Sequence, residues 1–366
     1  MDKQLYQGNG TMIEGIGSSE SFESRPENGY ENFKVSVNYF KNISSGDTPT
    51  DDVLDGNLIY DDYCVIALPS TYKASGEKTR LIIHCGGTGN RIAEDTNPLN
   101  YPGWTYFLGK GYAVMDCNGI ADEYITNVRG GGSRNHFGCK YLLQSYKKAY
   151  DYVMDRYNLK KDGIFVTGIS MGGLASFMIV QSGLFPVLAQ FGFCPCISIF
   201  AQAYINPWDD NAEQIPKDWG FDVKQEGENS RDWFIRNYPK IAGFDSLLKN
   251  TIGDKTNIFA YLPEEPAPRN ETSYPDKEKA IYDKLLKFYP CPLKIIHAKG
   301  DSIVRPQYSR FIVTMIRNAG VYAELHELAT GSHGEGWDAG EKIDDEGITT
   351  TINFYECIKF LQRYEK

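Results

Sequence analysis

The stretch from Gly163 to Ser170, GIFVTGIS, constrains the fold of this chain more than any other. It is a largely apolar run of strand length, and it passes straight into a helix that begins at Met171. The junction, Gly168-Ile169-Ser170-Met171-Gly172-Gly173, has the pattern G-x-S-x-G. Its glycines flank a turn so tight that side chains there would clash, and the turn exposes the serine hydroxyl at the strand's end. Apolar strands alternating with helices predict a parallel sheet covered on both faces.

The same rhythm runs from about residue 56 onward. YCVIALP and TRLIIHC are strand-like, the second ending in Gly86 and Gly87. A short helix is expected around Trp104 to Lys110, then the strand YAVMDCNG. In CKYLLQSYKKAYDYVMDRYN, Tyr141, Leu142, Tyr146, Tyr150 and Val153 recur at helical intervals. The rhythm breaks after FPVLAQFGFCPCIS. Residues from about 200 to 288 are polar, hold Trp208, Trp219 and Trp233 with several prolines, and include the charged run DKEKAIYDKLLKF. Strands resume at PLKIIHAKGD, followed by a helix around Tyr308 to Ala319, the strand VYAELHEL and a closing helix from about Thr350. An insertion that interrupts and then returns to the sheet rhythm reads as a cap over the sheet's carboxyl edge, with an independent second domain as the alternative. Residues 1–55 read as an N-terminal extension with one strand, FKVSVNYF. Residues 56–366 then form the main domain, with the cap at about 200–288.

Composition narrows the classes. The chain has 366 residues, 41% hydrophobic and 23% charged, enough for one large domain with an insertion. Its most apolar stretch, Phe177 to Tyr204, is broken by glutamines, glycines and prolines, so no membrane span is expected. A net charge of -10 argues against nucleic acid as a partner, because phosphate binding needs clustered Lys and Arg. The first residues lack the basic start and apolar core of a signal peptide. The expected location is therefore cytoplasmic, unless an export signal was removed or is not needed. Eight cysteines occur, several of them in apolar strand-like runs. Cys194 and Cys196 form C-P-C rather than C-x-x-C, and no pair stands at zinc-finger spacing, so buried thiols are expected and no metal site.

Ser170 is the candidate nucleophile, and a serine needs a base that is itself held by an acid. Of five histidines, His297 and His326 lie inside strands and read as packed or surface residues. His84 ends a strand and His136 sits in the loop GGGSRNHFG. His333 lies in ATGSHGEGW, between the last strand and the last helix, and is the favoured base. Asp301 follows LKIIHAKG directly and is the favoured acid, in the chain order Ser, acid, His. Glu335, Asp344 and Asp345 compete with it. The tetrahedral oxyanion needs two backbone N–H donors, one expected from Met171 and one from the turn Gly86-Gly87-Thr88-Gly89. The nearby glycines fit neither G-x-x-x-x-G-K-[ST] nor a complete G-x-G-x-x-G, so no phosphate loop is read there. Trp208, Trp219 and Trp233, with Trp337 beside the histidine loop, are the candidate substrate-binding aromatics.

On the pieces YCVIALPSTY, LIIHCGGTG, TGISMGG, AKGDSIVRP and GSHGEGW, the chain from about Gly56 resembles the α/β-hydrolase superfamily. More narrowly it is similar to bacterial carbohydrate esterases, acetylxylan and feruloyl, and to the catalytic domain of prolyl-oligopeptidase-type peptidases. The resemblance implies an α/β-hydrolase fold, the triad Ser170, Asp301 and His333, and an oxyanion hole of Met171 with Gly87 or Thr88. The chain departs from the family in having Gly86-Gly87 where a His-Gly pair is usual, and in a longer cap. The expected activity is hydrolysis of a carboxylic ester on a small molecule or polysaccharide, without a cofactor. An aminopeptidase or oligopeptidase is the enzymatic alternative, and an inactive fold used as a binding module is the alternative from another class.

Overall fold

A computed structural model of the chain describes residues 17–25, 30–41, 61–87, 102–117, 140–197, 225–228, 289–333 and 341–365. Within these, β1 (Gly17–Arg25), β2 (Tyr30–Lys41) and β3 (Asp61–Leu68) come first. The chain continues through β4 (Leu81–Cys85), α1 (Pro102–Gly109), β5 (Ala113–Cys117), α2 (Lys140–Arg156) and β6 (Ile164–Ile169). After these come α3 (Met171–Ser182), β7 (Val187–Phe193), β8 (Leu293–Ala298), α4 (Pro306–Asn318) and β9 (Ala323–Leu328). The hairpin β10 (Glu341–Ile343) and β11 (Thr349–Thr351) leads into α5 (Ile352–Gln362). The cap region expected at about 200–288 lies almost wholly outside the described residues.

Nine strands form one sheet in the order β1-β2-β3-β5-β4-β6-β7-β8-β9. The pairings from β5 through β9 are parallel, while β1, β2 and β3 join antiparallel. FKVSVNYF lies within β2, and β2 pairs with β3. Every residue of β4, β5, β6 and β8 is buried, as a strand covered on both faces requires. β8 shows how the two faces are filled. Leu293 and Ile295 join Phe177 of α3 and Phe311, Ile312 and Met315 of α4 in one apolar cluster. Ile296, pointing the other way, joins Trp104 and Phe107 of α1 and Phe354 and Leu361 of α5 in another. Edge strand β9 is only half buried after Ala323, and the charges of Glu324 and Glu327 suit an edge that must not pair further.

All twelve residues of α3 are buried, including both glycines at its start. The turn into it leaves no room for side chains. A Cβ at Gly168 would lie 2.3 Å from the Gly172 carbonyl oxygen, and one at Gly172 would lie 2.0 Å from that of Cys85. Helix α3 thus touches β4 backbone to backbone. Because neither main chain can give way, Gly172→Ala should destabilise the protein by at least the ~1–3 kcal/mol typical of overpacking. Urea unfolding would read this as a lowered midpoint, and an unchanged midpoint would contradict the packing.

Candidate active site

The strands that bear the candidate residues run parallel, so their carboxyl ends share one edge of the sheet. Sheet order reverses between β4 and β6: β5 lies on one side of β4, and β6 with all that follows lies on the other. That is where an open α/β sheet leaves a crevice. Gly86 and Gly87 follow β4, Ser170 follows β6, Cys194 follows β7, Asp301 lies just beyond β8, and His333 beyond β9.

Ser170 is held at φ 49°, ψ -123°, a left-handed conformation that costs a non-glycine residue ~1–3 kcal/mol. Its backbone is pinned on each side to offset this. Its N–H donates to the Phe193 carbonyl at 3.1 Å, and its carbonyl accepts from the N–H groups of Gly173 at 2.9 Å and Cys196 at 2.7 Å. The C-P-C segment accounts for one side of this clamp. Pro195 sits against Gly173, where an added Cβ would fall 2.3 Å from the proline Cβ.

From Ser170 an unbroken chain of polar contacts runs inward. Ser170 Oγ is 2.9 Å from His333 Nε2, and His333 Nδ1 is 2.8 Å from Asp301 Oδ2. The carboxylate oxygen only accepts, so Nδ1 carries a proton, and in the neutral ring Nε2 is left as the acceptor of the serine hydroxyl. The structure brings together the three residues expected from the sequence. A close approach of backbones makes this possible: a Cβ at Gly300 would lie 2.5 Å from the carbonyl oxygen of Gly331, in the loop that carries His333.

Asp301 is buried and accepts four hydrogen bonds. Oδ1 takes the N–H groups of Ile303 at 2.9 Å and Val304 at 2.8 Å, and Oδ2 takes His333 Nδ1 and His297 Nε2, the latter at 3.1 Å. Burial alone would raise its pKa. The hydrogen bonds from His297 and His333 and the charge of His333 outweigh burial and hold the carboxyl well below the usual range. For His333 burial works downward, but the hydrogen bond to Asp301 and the contact with Cys194 outweigh it and raise the imidazole's pKa.

Two of the residues expected from sequence as oxyanion donors, Met171 and Gly87, sit beside the serine. Met171 opens α3, so its N–H is one of the first-turn groups with no partner inside the helix. A Cβ at Gly87 would stand 3.5 Å from that of Ser170. Thr88, the other candidate for the second donor, lies outside the described residues, as do Trp208, Trp219, Trp233, Trp337, Glu335 and His136.

Among the described residues, the rivals Asp344, Asp345 and His84 are engaged elsewhere. Asp344 pairs with Lys110 and accepts the Tyr106 hydroxyl at 3.0 Å, and Asp345 pairs with Lys359 at the surface. His84 is buried under α1, edge-on to Trp104 and Phe107, with Nδ1 2.8 Å from Thr167 Oγ1. The seven described cysteines are all buried and none is in a disulfide. Among the described residues, the group that could offer a metal three ligands is Cys194, Asp301 and His333, with ligand atoms within 4.8 Å of one another. Two of those three already hold each other. A cavity of about 540 Å³ lined by Lys73, Lys78, Arg80, Tyr112 and Lys160 lies at the other end of β4 and β5, away from Ser170.

Two buried partners of the site are not read from sequence. Asp116 in β5 accepts the Gly86 N–H at 3.1 Å, the Tyr146 hydroxyl at 2.6 Å and the Cys117 N–H at 2.8 Å, and so fixes the turn that carries Gly87. A lone acid inside the apolar run AVMDC was the available signal, since a buried carboxylate demands donors. His297, read as an ordinary packed or surface strand residue, is packed against the acid itself.

No protein-family model matches the chain, and no curated protein matches its sequence. Solved structures do. Acetyl Xylan Esterase 1 from Thermoanaerobacterium sp. JW/SL YS485 is 13% identical, with a TM-score of 0.52 over 100% of this chain and 91% of that one. An acetyl xylan esterase from Paenibacillus sp. R4 is 11% identical, with a TM-score of 0.49 over 95% and 89%. For an acylaminoacyl peptidase of Pyrococcus horikoshii the values are 14% and 0.45, covering 78% of this chain and only 37% of the peptidase. The sheet order, the strand–turn–helix at Ser170 and the first of these likenesses define the chain as an α/β protein of the α/β-hydrolase fold. Among the described residues no helix is long and apolar enough to cross a membrane.

The two pKa shifts set a pH dependence. As the proposed base, His333 could take the Ser170 proton only while neutral, and it loses its own proton above its raised pKa. Asp301, with its pKa lowered, stays a carboxylate throughout that range. The rate of Ser170 modification by a fluorophosphonate should therefore fall on acidification with a midpoint above the ordinary histidine value of about 6.5. A midpoint at or below that value would contradict the geometry. Asp301→Asn should slow the same reaction on the order of 10⁴-fold by favouring the wrong imidazole tautomer.

Proposed function

We propose that this protein is a serine hydrolase that cleaves carboxylic esters through an acyl-enzyme, with an acylated carbohydrate as its substrate class. The observation that carries the reading is the continuous run from Ser170 Oγ through His333 to Asp301, at 2.9 and 2.8 Å, at the foot of a helix. As Oγ attacks the substrate carbonyl carbon, His333 Nε2 takes the hydroxyl proton. The carbonyl π pair moves onto oxygen, where the Met171 N–H and the turn after β4 donate to it. The tetrahedral intermediate collapses, the C–O bond to the alcohol breaks, and His333 returns the proton to the departing alkoxide. Water then repeats the attack on the acyl-Ser170 ester, with His333 again as base.

Chemistry favours an ester over an amide here, because an alkoxide leaves with less help from the general acid than an amine does. An acetyl ester is the natural first substrate, since one fold neighbour aligned over the whole chain is an acetyl xylan esterase. The Trp208, Trp219 and Trp233 segment is proposed to wall the acyl or sugar site. Across a panel of aryl acetates, acetylated and feruloylated sugars, and aminoacyl and prolyl amides, kcat/KM should be highest for an ester and measurable for at least one acylated sugar. An aminoacyl amide that outranks every ester would move the reading to a peptidase and leave the triad in place.

A further inference from the structure

The Asp301 carboxylate has a second imidazole on it. His297 lies on β8, four residues before Asp301, and is fully buried, as is the Asp301 side chain. Its Nε2 stands 2.8 Å from the Val304 carbonyl oxygen and 3.1 Å from Asp301 Oδ2. A carbonyl oxygen only accepts, so Nε2 carries a proton, and one N–H is shared between the two oxygens. On the other side of the ring, Nδ1 lies 2.8 Å from the hydroxyl of Ser309 in α4, which is itself buried and free to rotate into the donor role. Ser309 donating to Nδ1 and Nε2–H facing the acid loop is the one arrangement of a neutral ring that satisfies all three neighbours.

The consequence is geometric. Asp301 and Val304 bound one turn, in which Val304 N–H donates to Asp301 Oδ1 and Val304 C=O accepts from His297. The turn is closed on itself, and beside the backbone bond from Asp301 N–H to the Ala298 carbonyl the His297 ring is the side chain that ties it to β8. Of the two oxygens, Oδ1 is fully used by backbone donors, so only Oδ2 can meet His333, and His297 lies on that oxygen's other side. We propose that His297 is a positioning residue of the triad: its shared N–H holds the Asp301 carboxylate in the rotamer that presents Oδ2 to His333 Nδ1. The inference rests on the reading of Ser170, His333 and Asp301 as a working triad.

The test compares two replacements in the full-length protein. His297→Phe fills the space and removes the donor, while His297→Gln keeps an N–H donor close to the position of Nε2. With p-nitrophenyl acetate, His297→Phe should lower kcat on the order of 10²-fold, the scale of a slight misplacement of a catalytic group, with KM unchanged. It should also weaken or abolish the far-downfield proton NMR signal of the His333–Asp301 hydrogen bond. His297→Gln should restore most of kcat and the signal, even where thermal melting shows both variants equally destabilised. A kcat that follows Tm rather than the donor would overturn the proposal, as would a folded His297→Phe that keeps wild-type kcat and the downfield signal. If His297→Phe fails to fold, a folded His297→Gln that has lost kcat and the downfield signal overturns it, and one that keeps both supports it. Fluorophosphonate labelling separates this from failure of the functional reading. Unlabelled wild-type protein would sink the hydrolase assignment, whereas labelled wild type with an equally fast His297→Phe would sink this inference alone.

Discussion

The contact on which the site depends is made by backbone alone. Helix α3 rests on the end of β4 at Gly172, where a single added carbon would fall 2.0 Å from the Cys85 carbonyl oxygen. That approach brings the turn after β4 within reach of the serine that precedes the helix. It also obliges Ser170 to take a left-handed conformation, φ 49°, which the end of β7 stabilises by hydrogen bonds to both its N–H and its carbonyl. Cys194, the first residue beyond that strand, is the other non-glycine residue with positive φ among those described. Strain is thus concentrated at the ends of the neighbouring strands β6 and β7, where a preorganised site can use it.

Charge is arranged around one anion. Asp301 carries its negative charge in a buried place, which is tolerable because four N–H groups converge on its two oxygens. Two of the four come from its own turn and two from imidazoles on different segments. The same hydrogen bond that keeps Asp301 ionised keeps the Nδ1 proton on His333, so the neutral ring is held in the tautomer whose bare Nε2 faces Ser170 Oγ. Asp116 plays a comparable part across the crevice, holding Gly86 and Tyr146 with a carboxylate that never faces solvent.

Much of this is legible in the sequence where the demand is local. The apolar runs LIIHC, IFVTGI and LKIIHA announce strands covered on both sides, and G-x-S-x-G announces a turn with no space in it. Chain order then picks out Asp301 and His333, which lie in the loops after β8 and β9. What could not be read depends on the path of turns. β1, GSSESFESR, has no apolar alternation and is a strand because β2 pairs with it. The short hairpin β10–β11 takes Thr349–Thr351 from the expected start of the closing helix, whose N-cap is Thr351. His297 and Asp301 face each other only because the chain doubles back after Ala298, where Asp301 N–H donates to that residue's carbonyl at 3.2 Å. A spacing of four across a strand end carries no such meaning by itself.

In the proposed reaction Ser170 carries the acyl group between two half-reactions. Acid quenching during turnover of an aryl acetate, followed by peptide mapping, tests it most directly. An acetyl adduct is expected on the peptide containing Ser170, formed within the burst phase and absent from Ser170→Ala. Turnover with the adduct on a different residue, or undiminished turnover in Ser170→Ala, would contradict it.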